Sequence, residues 1–256
     1  MRILQALVLA LVLFAGSGGF ACAQRLILSV SQPEVLITSN FAGADLVLFG
    51  VVEGVPDADH RYDYAVTVRG PQESFITWRK SRVAGIYINT DSRTFVDAPA
   101  VLAVATNRPA VQIAPAEVLR REQVGLSRNI FVQRVGPDFA DVVADDPFRL
   151  AFLRIKQADG LYSEEPNGVL LLSPQVFRTS FRIPASAPVG TYEVEVKLFG
   201  QGQLLASAKT SVVVRKSGFG QQIAALAEDH GFLYGLCVAC GALAIGFGAN
   251  FVFRKD

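Results

Sequence analysis

Four side chains in one short loop, Asp57, Asp59, His60 and Asp63, carry donors at a spacing that could surround a divalent cation. The loop has neither the glycine nor the terminal glutamate of an EF-hand, so it reads first as a solvated hairpin loop. Further on, Arg79, Lys80 and Arg82 stand beside Trp78. Their guanidinium and ammonium groups could give charge-assisted hydrogen bonds to an oxyanion, although an ordinary charged strand edge has the same composition. Cys237 and Cys240 have C-x-x-C spacing, but they sit inside an apolar run without the βαβ context of a redox motif, and read as small packing residues. Asp145-Asp146 reads as a helix cap.

These groups do not assemble a familiar catalyst. Apart from His230 near the carboxyl end, the body of the chain offers only His60, and no cysteine once Cys22 is removed. Neither a histidine-based triad nor an ordinary zinc site assembles from these residues, and a carboxylate mechanism stays open. The expectation is a protein that is not an enzyme and holds no cofactor and no metal. Basic and acidic residues number 24 and 23 over 256 residues. Such a balance argues against nucleic acid as a partner.

Two hydrophobic ends position everything else. Gly231 to Phe253 is an uncharged run, followed by Arg254 and Lys255. As a helix of ~1.5 Å rise per residue it would reach ~34 Å, which matches a bilayer core of ~30 Å. The spacing predicts a transmembrane helix over 231–253 with a cytoplasmic tail 254–256, because the flanking basic residues lie on that side. A buried core helix is the alternative. Within the run Gly231, Gly235, Ala239, Ala242 and Gly246 line one face, where another helix could approach closely; small residues are also simply common in such segments. At the other end, Met1-Arg2, the apolar run Ile3 to Phe14 and Ala21-Cys22-Ala23 have the layout of a signal peptide over 1–23, with an uncleaved signal anchor as the alternative.

Between these ends, 24–214 reads as one exported body and 215–230 as a juxtamembrane tether. The body lacks cysteine and N-x-S/T sequons, which leans toward a bacterial periplasm. Asp45 to Val52 is apolar at every second position and between, which predicts a strand buried on both faces. Tyr64, Val66 and Val68 alternate with Ala65, Thr67 and Arg69, and Ser74–Lys80, Gly85–Asn89 and Thr94–Ala105 supply more strands. Ala110 to Asn167 reads as a helical insertion, with a boundary between two small domains as the alternative. Within it Pro115 opens a short helix carrying Val118 and Leu119, and Asp146-Pro147 starts another with Phe148, Ala151, Phe152 and Ile155 inward. The last strands alternate cleanly through Phe177, Phe181 and Ile183, then Tyr192, Val194, Val196 and Leu198. Tyr192 stands where a tyrosine-corner residue would. The expected fold is mainly β: an immunoglobulin-like or fibronectin-like β-sandwich with a helical insertion, plus one C-terminal transmembrane helix.

The segments Phe41-Ala-Gly-Ala-Asp-Leu-Val-Leu-Phe-Gly50, Val66-Thr-Val-Arg-Gly-Pro71, Trp78-Arg-Lys-Ser-Arg-Val-Ala-Gly-Ile-Tyr-Ile-Asn89 and Asn107-Arg-Pro109 combine with the two hydrophobic ends. In this combination, over nearly the full chain, the sequence resembles the alphaproteobacterial transmembrane protein family Alph_Pro_TM. Tyr87 and Val101-Leu102 depart from the aromatic residues expected there. The resemblance implies a single-pass inner-membrane protein of a family often encoded beside a sulfite-exporter-type permease; it supplies no catalytic residues.

The functional expectation is a membrane-anchored periplasmic interaction module, an accessory subunit of a polytopic inner-membrane protein such as that permease. Its partners would be the lipid bilayer and a membrane protein met through the helix. The alternative is a tethered periplasmic binding or sensing module for a small anion.

Overall fold

The computed structural model describes residues 25–38, 40–54, 62–135, 138–141, 145–217 and 227–253. The expected signal peptide, most of the Asp57–Asp63 loop and the tail 254–256 lie outside these residues.

Two sheets face each other across the main core. The first runs β1 (Arg25–Val30), β3 (Ala44–Glu53), β12 (Val176–Ile183), β11 (Val169–Ser173). The second has six strands in the order β10 (Tyr162–Pro166), β7 (Leu102–Thr106), β4 (Tyr62–Arg69), β13 (Gly190–Gly200), β14 (Gln203–Lys216), β2 (Glu34–Ile37). Leu46, Leu48, Phe177 and Ile183 from the first meet Tyr64, Val66, Val194, Val196 and Val212 from the second. Each such side chain, fully buried, stabilises the fold by about 1.5–3 kcal/mol. Gly50 is required here, because a Cβ at that position would sit 2.1 Å from the Phe177 ring. That ring leans on Tyr64 at 4.7 Å. The Tyr192 hydroxyl donates to the Pro188 carbonyl at 2.8 Å and ties the entry of β13 to the preceding loop.

The six-stranded sheet is covered on its other face too. Helices α1 (Ala110–Ile113) and α2 (Ala116–Arg121) lay Ile113, Val118 and Leu119 against Ala65 and Phe199. Strand β4 is therefore buried on both faces, whereas β3 alternates and leaves Phe49 and Val51 partly exposed. This reverses the sequence expectation for the two strands. An apolar run shows that a strand can be buried twice; whether it is depends on a layer supplied from elsewhere in the chain.

A third sheet, β5 (Gln72–Val83), β6 (Ile86–Pro99), β8 (Val132–Val135), β9 (Asp138–Asp141), has its own core beneath helix α3 (Pro147–Ala158). Asp146 caps α3 by accepting from the backbone N–H groups of Phe148 and Arg149 at 2.8 and 3.1 Å, with Pro147 in the first turn. The helix buries Phe148, Phe152, Leu153 and Lys156 and leaves Ile155 exposed, so its inward face is turned from the expected one. Lys156 is the cause: its stem lies inside and its ammonium stands 3.3 Å over the Phe75 ring. Phe152 is the hub of this core, stacked on Phe95 at 4.3 Å and touching Phe75, Phe131 and Tyr162.

The expected fold class is corrected on three points. The strand material of 72–99 forms a separate sheet and not part of one sandwich. The insertion 110–167 is mixed, since β8, β9 and β10 lie within it. At the carboxyl end a helix, α4 (Gly231–Phe253), does form over the apolar run. Among the described residues, however, no helix is long and apolar enough to cross a membrane, so the expected transmembrane helix is not seen.

Candidate functional site

The basic residues expected to form an anion patch lie on a long hairpin, β5–β6, that extends past the α3 helix. At its root, Phe75 and Thr77 point toward α3, with Thr77 the last buried residue of β5. Alternation then places Arg79 on the same side as Thr77, and Trp78, Lys80 and Arg82 on the other. The Arg79 guanidinium pairs with Asp91 across the hairpin and lies 5.7 Å over the Phe148 ring. Arg93 stands 4.9 Å over the same ring. A groove of about 220 Å³ between β5 and the first turns of α3 is bordered by Trp78, Arg79, Lys80, Phe148, Ala151 and Arg154.

The expected trio is thus divided. Arg79 and Lys80 both border the groove, Lys80 from the outward side of β5, while Arg82 lies toward the hairpin tip, its Nε donating to the Gly85 carbonyl at 3.4 Å. Arg154 was missed by the sequence reading. It is 74 residues beyond Lys80 and reaches the groove only because α3 docks on β5 through Phe152. A basic residue on the exposed side of a helix carries no local sign of that neighbour.

The candidate metal loop has a different outcome. Asp57, Asp59 and His60 lie outside the described residues. Asp63 is buried and its carboxylate is engaged: Arg108 donates from both Nε, at 2.5 Å, and Nη2, and Asn107 Nδ2 donates at 3.1 Å. The hydrogen bond to Asp63 raises the Arg108 pKa further above its ordinary value. Asn107 Oδ1 accepts from the Tyr64 N–H at 2.9 Å, so Asn107-Arg108 clamps the end of β7 to the start of β4. The chemistry of Asp63 is structural.

A second polar network seams α2 to the six-stranded sheet. Lys197 Nζ donates to the Glu122 carbonyl at 2.6 Å and lies 3.4 Å from its carboxylate. Glu195 pairs with Arg69 at 2.9 Å. Burial pushes the Glu122 pKa up, but Arg121 and Lys197 outweigh it and hold the carboxyl below its usual range.

On α4, Gly231, Gly235 and Gly246 face open space: an added Cβ would meet nothing within 4 Å. Ala239, Ala242 and both cysteines, Cys237 and Cys240, are exposed, as are Phe232, Leu243, Ile245 and Phe247. Nothing described in this chain covers the small-residue face. Among the described residues, no three His, Cys, Asp or Glu side chains are grouped so as to hold a metal.

A family model described as "Putative transmembrane protein (Alph_Pro_TM)" matches residues 25–255. No curated protein matches the chain.

Proposed function

The chain belongs to the Alph_Pro_TM family, and from that premise we propose that it is a non-catalytic interaction module of the bacterial envelope. In this reading it is associated with the inner membrane, with its β body in the periplasm, and serves a polytopic membrane protein of the sulfite-exporter permease type. The observation that carries the proposal is the uncovered α4 helix, whose small side chains at 231, 235, 239, 242 and 246 leave room for the backbone of a partner helix. Exposed apolar side chains of this size need cover, and the rest of the described chain provides none.

The test is photo-crosslinking from position 239 or 242 in native membranes. Recovery of a polytopic transporter, lost when Gly235, Ala239, Ala242 and Gly246 are replaced by leucine, supports the proposal. Crosslinks confined to a second copy of the chain, or unchanged by the leucines, refute it.

A second reading, binding or sensing of a small anion, is favoured by the β5–α3 groove, where Arg79, Lys80 and Arg154 border one opening. Calorimetric titration of the full chain with sulfite and sulfate tests it. Binding should weaken about tenfold or more in Lys80→Ala and in Arg154→Ala, as expected for a lost charge-assisted hydrogen bond.

A further inference from the structure

The distal half of the β5–β6 hairpin stands apart from the hydrophobic cores. From Thr77 to the turn it extends about 20 Å at ~3.4 Å per residue. Its turn, Ala84-Gly85, has φ of 50° and 87°, the pair of positive values that closes a two-residue hairpin in step with strand twist. A Cβ added at Gly85 would meet nothing within 4 Å, so the turn is in the open. Along the hairpin, Ile76, Trp78, Val83, Ile86, Tyr87 and Ile88 are exposed by 41–73%. Single exposed apolar residues are ordinary, but a cluster on a projecting hairpin marks a contact surface.

Charge decides what kind of surface this is. Residues 80–90 contain Lys80 and Arg82 and no acidic residue. Asp91, just beyond, is neutralised by Arg79. Trp78, Lys80 and Arg82 share one side of β5, and the cross-strand register sets Tyr87 opposite Arg82. Tryptophan and tyrosine with an apolar body and a polar edge, interleaved with lysine and arginine and tipped by isoleucine and valine, suit the boundary between anionic headgroups and acyl chains. A protein groove complementary to the same hairpin would call for acidic partners placed at fixed positions, whereas a lipid surface meets these mixed groups without a fixed register.

We infer that the β5–β6 hairpin is a lipid-binding arm that lays the side carrying Trp78, Lys80, Arg82 and Tyr87 on an anionic membrane surface. This goes beyond the α4 reading, because it assigns the body its own membrane contact through a different element.

Trp78 is the only tryptophan in the chain, so it reports on this arm alone. The full chain is reconstituted into vesicles of phosphatidylcholine with or without phosphatidylglycerol, and Trp78 emission and its quenching by brominated lipids are recorded. Whatever α4 contributes is common to all samples. With phosphatidylglycerol the emission should move to the blue and be quenched. Lys80→Ala combined with Arg82→Ala should lower the docked-to-undocked ratio about thirtyfold at low salt, from roughly fivefold per basic residue. Ile86→Ser with Tyr87→Ser should lower the quenching while keeping the charges. All four positions are exposed, and circular dichroism checks that the fold persists.

Emission indifferent to phosphatidylglycerol overturns the inference, as does equal quenching in phosphatidylcholine alone and in the charge-deleted variant. Shielding of Trp78 that arises only when a second membrane protein is added also overturns it, and assigns the arm to a protein partner.

Discussion

The core between the four- and six-stranded sheets and the core beneath α3 are built from different side chains and fail in different ways. The first is chiefly aliphatic and draws on strands from both ends of the chain, so its stability is spread over many contacts. The second is small and aromatic, with Phe152 touching four other rings. One side chain there connects α3, β5, β6 and β10. The contrast teaches how this chain carries an exposed arm: the arm is rooted in a compact aromatic unit and does not run through the main core, so its surface can vary without disturbing that core.

The strongest way to break the contrast is Phe152→Ala. It should cost about 3–5 kcal/mol, the usual range for a buried aromatic, and hydrogen exchange should quicken first in α3 and β5 while the amides of β13 stay protected. Uniform loss of protection would show a single cooperative core. Arg108→Ala removes the partner of a buried carboxylate at the edge of the main core. With Arg108 itself partly exposed, a loss of about 3 kcal/mol is expected, at the low end for a broken buried pair, and denaturant titration measures it. Asp63→Asn in the same background should recover part of that loss.

A smaller effect concerns the α2 seam. Because the folded Glu122 carboxyl lies below its ordinary value of 4.5, its contribution is fully present above that pH and is lost as pH falls through the lowered value. The stability difference between the wild type and Glu122→Gln should therefore be constant near neutrality and close on acidification below about pH 4.5. Chemical denaturation at a series of pH values reads it. The smallest effect sharpens the contrast from the other side. Tyr87→Ser, on the arm, should change stability by no more than about 0.5 kcal/mol; a larger loss would mean that the arm is part of a core after all.

Much of the fold was legible because its signals are local. The alternation of Phe177, Phe181 and Ile183, the Asp146-Pro147 helix start, and the placement of Tyr192 four residues after its acceptor Pro188 all lie within a few residues of what they determine. What was misread depends on distant partners. Burial of β4 on both faces requires α1 and α2, whose residues follow it by more than 40 positions. Asp63 reads as part of a solvated loop, and only Arg108, 45 residues away, reveals it as a buried clamp. The groove kept two of three expected cations and gained Arg154 through the packing of Phe152. At the carboxyl end the apolar run correctly announced a helix, but hydrophobicity alone did not establish a crossing.

The short strand β2 has a consequence for force. It pairs in parallel with the last residues of β14, from Glu34 opposite Val213 to Ile37 opposite Lys216, and Arg215 reaches Glu34 at 3.3 Å. On its other side β14 is held by β13 along nearly its whole length. β14 is also the last strand before α4. A pull along the axis of β14 would load these strand-to-strand hydrogen bonds together, in shear, and not open them one at a time.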